Sequence, residues 1–581
     1  MPTNRNIQTS RSADLVSFKI LINGNELPAG FSILNITVEK EINRISQARL
    51  ILSDGDPASQ DFPASNQDLL IPGNEIEIKA GYHSDDETIF KGIIIKHSLK
   101  IRTAHSQLII DCRDKAVKLT SGRKSKYFFD SKDSEIIESI LGNYALQKEI
   151  EATGFQHQKL VQYDCTDWDF IIARAQANGK VCVVDDGKII IKAPDYSQKE
   201  IETVAFGATL IDFDAEIDAR NQFAKVSSYS WDPAKQELVD LEAAGATIAL
   251  NGNLTPSQLA SVINLDNLEL KYGGSVPDSS LQDWANAKKI FNQLSKIRGR
   301  IKFQGIPACK PNTTLVLEGV GDRFNGKAYI SAVRHEITEG NWTIDAQFGM
   351  NPSWFSEIFN ISDQPAAGLF PAIHGLHIGI VTQLESDPDG EDRIQIRCPM
   401  IQNDSDGIWA RIASLDAGEN RGAFFRPEIE DEVIVGFIND NPNDPVVLGM
   451  LNSSAKPAPI QASDDNHEKG FVTRSEMKFI FNDDKKSVVL ETPAGKKITV
   501  DEDAGVVKLE DENSNVITMD SSGIKMESAG NIEMKATGDV KIEGANITIS
   551  ASAQFKGEGS AGAEISTGAL AVLKGSVVQI N

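Results

Sequence analysis

Ile524-Lys525-Met526-Glu527, Ile532-Glu533-Met534-Lys535, Val540-Lys541-Ile542-Glu543 and Ile547-Thr548-Ile549-Ser550 are four versions of one block, starting eight, eight and seven residues apart. Turn formers lie between them: Ser528-Ala529-Gly530, Thr537-Gly538-Asp539 and Gly544-Ala545-Asn546. Alternate side chains of an extended chain leave opposite faces, so each block is a short strand, apolar on one side and mainly charged on the other. The same pairing, more loosely spaced, runs upstream through Val488/Leu490, Ile498/Val500, Val507/Leu509 and Ile517/Met519. An internal repeat of this kind decides architecture. A strand this short is one wall of a solenoid, and an apolar axis needs about three walls. Either three repeats of one chain make a turn, or three chains supply a wall each. The looser spacing before Ile517 favours three intertwined chains. The plainer reading, a meander or sandwich, lacks the aromatics to fill its core: after Phe481 only Phe555 remains. Ala551 to Asn581 is rich in Ala, Gly and Ser, as a tapering tip needs, and no enzymatic domain is expected behind it.

The chain has 581 residues, enough for several cores, and a formal net charge of −25, which opposes binding to phosphate backbones or anionic lipid. Its five cysteines (Cys112, Cys165, Cys182, Cys309, Cys398) are scattered and read as isolated reduced thiols of a chain folded in cytosol. The start, Met1 to Val16, lacks the apolar core of a signal peptide, and no run reaches the roughly 18 apolar residues of a membrane span. Synthesis and assembly in the cytoplasm are expected.

Upstream of the repeat the pattern is β-rich. Strands are expected at Phe18–Ile22, Glu75–Ala80, Lys91–Ile95 and Gln107–Cys112. Helices are expected from Ser134 to Gly142, after the N-cap Thr166 until Gly179, and from Ser280 towards Gly299. After the joint Gln364-Pro365-Ala366-Ala367-Gly368, five short strands between Pro371 and Asn452 suit a small closed barrel of the oligonucleotide/oligosaccharide-binding (OB) kind. The expected divisions are a flexible 1–14, a base at 15–360, the barrel at 371–452, a linker at 453–474 and a needle with its tip at 475–581.

In this order the chain resembles the VgrG spike family, with its relatives among hub-and-spike proteins of contractile phage tails, type VI secretion systems and extracellular contractile particles. The barrel carries the resemblance: Asp387-Pro388-Asp389-Gly390, Arg393 to Pro399, Trp409-Ala410-Arg411, Arg426 to Phe437, and Asn443 to Gly449. Glu430 stands where the family usually has Gly, which predicts a different local turn. In the base, Asp167-Trp168-Asp169-Phe170 with Arg174-Ala175 and Asn178-Gly179 resembles the family's helix before its second barrel. Gly319 to Gly326 with Val333-Arg334-His335 resembles its hairpin.

The resemblance implies a mainly β fold: tandem tube-like β-barrels with helical insertions, an OB-fold collar and a C-terminal intertwined triple-stranded β-helix needle. It implies a homotrimer whose six tube-like barrels meet a hexameric inner tube among baseplate proteins. Sheath contraction would drive the needle through a target envelope, with a small conical PAAR-type tip protein in front and effector cargo as an optional passenger. The tip protein is expected to dock on Val572, Lys574, Val577, Ile580 and Asn581, since three copies of that terminus make a blunt apolar face. A tailspike or adhesin acting on surface polysaccharide is the rival reading, because such proteins also use trimeric β-helices.

No catalytic, cofactor or metal residue is expected. No Ser has Gly at both −2 and +2. Gly321 to Lys327 imitates a phosphate loop, but Ala328 replaces the required hydroxyl residue. His374 and His377 lack a nearby third ligand, and Asp387, Asp389 and Glu391 read as a solvated turn. The barrel carries five Arg against fifteen Asp and Glu, the wrong sign for a single-strand nucleic-acid groove.

Overall fold

Strand Glu75–Tyr82 buries Ile76, Ile78 and Ala80 and turns Glu77 and Lys79 outward, the period-two pattern of a sheet with one packed face. It belongs to a 13-stranded sheet in the computed structural model, which describes residues 15–103, 105–245, 248 and 250–580. The expected flexible segment 1–14 lies outside the described residues. The chain divides into two units, Met1–Ala372 and Ile373–Asn581.

In the first unit the sheet is built from two runs of chain. Strands between Val16 and Arg113 surround one core, in which Leu50, Leu52, Ile78, Phe90 and Leu108 are buried. Strands between Thr203 and Phe348 surround a second, with Ile301, Leu315, Ile330 and Ile344. The two tandem halves share one continuous sheet, because Ser32–Glu41 pairs antiparallel with Gly326–Thr338 from Ala332↔Glu41 to Thr338↔Asn35.

Helical insertions ride on these halves. Helix Asp133–Leu141 ends at Gly142. Helix Asp167–Ala177 starts where the Thr166 hydroxyl accepts the Asp169 N–H. Asp278–Leu294 is the longest helix among the described residues. A further helix, Pro256–Ile263, was not expected, although Thr255-Pro256-Ser257-Gln258 is a capping box with Pro at the first turn, a readable start signal.

The second unit opens with a closed five-stranded barrel: His377–Gln383, Ile394–Arg397, Ile408–Ile412, Pro445–Met450 and Glu432–Phe437, in that order around the wall. Val381, Ile394, Ile396, Ala410, Val433, Val435 and Val447 fill it. All five strands fall within the stretch expected to form the barrel, Pro371 to Asn452. The turn at Glu430 does not depart from one that suits Gly: Glu430 takes φ of +70°, the left-handed conformation, and its N–H donates to the Val381 carbonyl.

Candidate functional site

Past the barrel, seven strands from Glu468–Val472 to Gly523–Glu527 form one antiparallel meander, each strand paired only to its sequence neighbours. The loosely spaced apolar pairs are therefore hairpin partners within one chain. Val488 faces Val500, Leu490 faces Ile498, Val507 faces Met519 and Ile517 faces Met526. This corrects the inference drawn from their spacing: nine or ten residues accommodate a hairpin turn and need no second chain. The spacing tightens to eight at Ile524, close to where the meander ends.

The register gathers every apolar pair onto one face, two residues wide, from Phe479 and Phe481 down to Ile524 and Met526. Among the described residues it stays open: Leu490, Ile498 and Leu509 keep 48%, 43% and 48% of their surface exposed. An open groove of about 550 Å³ runs along it between Leu490 and Ile532. On the opposite face Ile480 faces Val489, and charges are complementary across strands, with Lys478 opposite Glu491, Glu491 opposite Lys497, and Lys497 opposite Glu510.

Beyond Glu527 the strictest part of the repeat has no strand partner among the described residues. Residues 528–580 belong to no helix or strand and form no backbone-to-backbone hydrogen bond among the described residues. Ile532, Met534, Val540 and Ile542 are 58% to 68% exposed. At the terminus Val572, Lys574, Val577 and Ile580 are all exposed, while Asn581 lies outside the described residues.

The barrel and the meander are tied within one unit. Phe425 of a barrel loop stacks on Phe471 of the first meander strand with centroids 5.2 Å apart, and Arg474 reaches Glu428 at 2.7 Å. Lys456 bonds the Glu430 carbonyl and lies 3.1 Å from Asp431.

The motif residues of the base form buried polar pins. Arg174 forks onto Asp133 (2.6 and 2.9 Å), which also accepts from Asn178 and meets His157. Burial pushes the Asp133 carboxyl up, but these partners, Arg174 first, hold it below the usual carboxylate range. Asp167 accepts from Gln162 and Lys124. His335 is wholly buried; burial, aided by Lys40 and Lys310, lowers its pKa to about 3. Lys40 itself is buried between Asp185 and Asp186.

The residues weighed for other chemistry have structural partners. Gly321 to Asn325 is the turn of a hairpin between Thr314–Glu318 and Gly326–Thr338, and Lys327 pairs with Glu200. His374 bonds Asp440, whereas His377 meets the His374 carbonyl. Asp387 accepts from the Asp389, Glu391 and Arg393 N–H groups and from the Arg393 guanidinium, which hold its carboxyl well below the usual range.

Residues 12–339, more than half of the chain, match the family described as Alg8 N-terminal domain. Residues 377–451 match the type VI secretion system/phage-baseplate injector OB domain, which coincides with the closed barrel. The type VI secretion system spike protein VgrG1a of Pseudomonas aeruginosa is 29% identical over 73 residues, 13% of this chain and 11% of that protein. VgrG3 of Vibrio cholerae is 29% identical over 100 residues, 15% of this chain and 10% of that protein. The matched segment thus spans about a tenth of the length of these curated relatives. A tail protein from Neisseria meningitidis is similar with TM-score 0.44 and 12% identity, covering 59% of this chain and 98% of that one. The chain belongs to the family described as Alg8 N-terminal domain, and its barrel is similar to the injector OB domain and to the matching segment of VgrG spike proteins.

Proposed function

We propose that three copies of this chain form the central spike of a contractile injection system. The observation that carries the reading is the meander's exposed apolar face, followed by a repeat with no backbone partner among the described residues. A wall two apolar residues wide encloses an axis when three such walls converge, and the terminal repeats find their hydrogen-bond partners on neighbouring chains. The base caps a hexameric inner tube, its two sheet halves per chain giving six positions around the axis, and the collar joins it to the needle. Baseplate proteins surround the base. A small conical tip protein sits on Val572, Lys574, Val577, Ile580 and Asn581, and effector cargo travels with the spike. Sheath contraction supplies the work of puncture; the spike contributes stiffness and a narrow front, with no catalytic step and no nucleic acid bound. The chain is made and assembled in the cytoplasm and leaves with the fired particle. Imaging particles assembled with and without this chain tests the proposal. Three-fold density continuing the tube axis at its front should be present in the first and missing in the second. Density on lateral fibres instead would favour an adhesin and overturn the reading.

A further inference from the structure

The hairpin of Val181–Asp185 and Lys188–Lys192 carries two carboxylates side by side at its tip, and a buried lysine of strand Ser32–Glu41 ends between them. Lys40 Nζ lies 2.6 Å from Oδ1 of Asp185 and 3.0 Å from Oδ1 of Asp186, and its side chain is 2% exposed. The backbone around it fixes this meeting. The Asn43 N–H donates to the Cys182 carbonyl, the Cys182 N–H to Asn43 Oδ1, and the Ser46 hydroxyl to the Val184 carbonyl. Gly187, in the turn, donates its N–H to the buried Asp114. One lysine against two carboxylates leaves a second negative charge to be answered, which is costly at this depth. Lys310 answers it unevenly, at 2.7 Å from Oδ2 of Asp185 and 3.9 Å from Oδ2 of Asp186.

That asymmetry gives the two carboxyls different chemistry. Burial opposes the Asp185 charge, but Lys40 and Lys310 together hold this carboxyl below the usual range. Burial, joined by the Asp185 charge, outweighs Lys40 at Asp186 and raises it. Two carboxyls pushed apart in this way divide into one that stays ionised as a base and one that accepts a proton. Burial works against the Lys40 ammonium, but the same two carboxylates more than offset it. Lys40 therefore becomes a nucleophile by passing a proton to Asp186 across their hydrogen bond.

We propose that Lys40 and Asp186 condense into an intramolecular isopeptide bond, with Asp185 as the base. The proton leaving the Lys40 ammonium makes Asp186 a neutral carboxylic acid. Nζ then attacks Asp186 Cγ, one bond beyond the oxygen it already touches. Asp185 takes a second proton from Nζ and returns it to the departing hydroxyl, which leaves as water. One C–N bond forms and one C–O bond breaks. An ammonium and a carboxylate become an amide and a water, and nothing is oxidised or reduced. The burial of Lys40 keeps bulk water from the reverse hydrolysis.

The bond joins residues 146 apart and fastens the insertion hairpin to the sheet. A covalent link of this span restricts the unfolded chain as a disulfide does, in a protein whose five cysteines are all free. It lies within one copy of the first unit, so it neither needs nor tests the trimeric reading.

The test is mass spectrometry of the purified full-length wild type, denatured and digested with trypsin, beside Lys40→Arg and Asp185→Asn. The proposal expects the wild type to be lighter than its sequence by one water. Its digest should hold a branched peptide in which Lys40 is uncut and joined to the segment containing Asp186. Both variants should keep their full sequence mass. A wild type at full sequence mass, with trypsin cutting after Lys40, overturns the bond and leaves an ion cluster in its place. A branch at Asp185, or one from Lys310, overturns the assignment of the reacting pair. An Asp185→Asn chain joined as completely as the wild type overturns the role of the base. Should a variant fail to fold, the wild-type peptide map still decides whether the bond exists.

Discussion

At the residue scale, two positions carry conformational or electrostatic costs that mutation can expose. Glu430 holds a left-handed backbone conformation at φ of +70°, which costs a residue with a Cβ about 1–2 kcal/mol relative to glycine. Glycine gives part of this back through its freer unfolded chain. Glu430→Gly should therefore stabilise the barrel unit by about 0.5–1 kcal/mol, read as a higher denaturation midpoint. A lower midpoint would mean that the Glu side chain itself supplies more than the backbone loses. His335 is neutral in the fold because burial, with Lys40 and Lys310 nearby, depresses its pKa to about 3. Unfolded, it takes up a proton near pH 6.5. Its contribution is thus complete above pH 6.5 and is lost as pH falls towards 3, at up to about 1.4 kcal/mol per pH unit. His335→Gln should lower stability at pH 7 yet show a shallower loss between pH 6 and pH 4 than the wild type. Parallel acid profiles of the two proteins would refute this account of the buried ring.

At the element scale, what was legible followed from periodicity and caps. The five barrel strands alternate cleanly over a few residues between turns, and the structure places each where the alternation does. Thr166 announces its helix because its hydroxyl satisfies an N–H that the helix cannot. The apolar pairs after Ser487 were equally plain, but their partners were not. A hairpin and an interchain strand present the same alternation, and only the backbone pairing at Val488↔Val500 and its successors separates them. The polar pins were also out of reach, since Asp133 and Arg174 stand 41 residues apart and meet only through the packing of two helices. Two predictions belong here. Ile532→Asp should prevent assembly or lower its melting temperature well below wild type, because three carboxylates would converge on an apolar axis where desolvation and mutual repulsion both oppose charge. Unchanged melting would place Ile532 off the axis. Deleting the chain after Leu570 should abolish capture of the tip protein while base and barrel still trimerise; retained capture would put the docking site elsewhere.

At the scale of the whole molecule, the chain is two units with unequal needs. The first unit surrounds its cores with its own strands. The second closes a small barrel and then presents, among the described residues, some hundred residues most of whose apolar side chains stay exposed in one copy. A long exposed apolar face of this kind marks an interface, and a backbone segment without partners has the same implication. The claim on which the spike reading stands is that three copies meet along this face. Native mass spectrometry of the full chain at micromolar concentration tests it most directly. The account predicts a single assembly of three times 63.3 kDa, with no monomer population; a clean monomer at 63.3 kDa would contradict it.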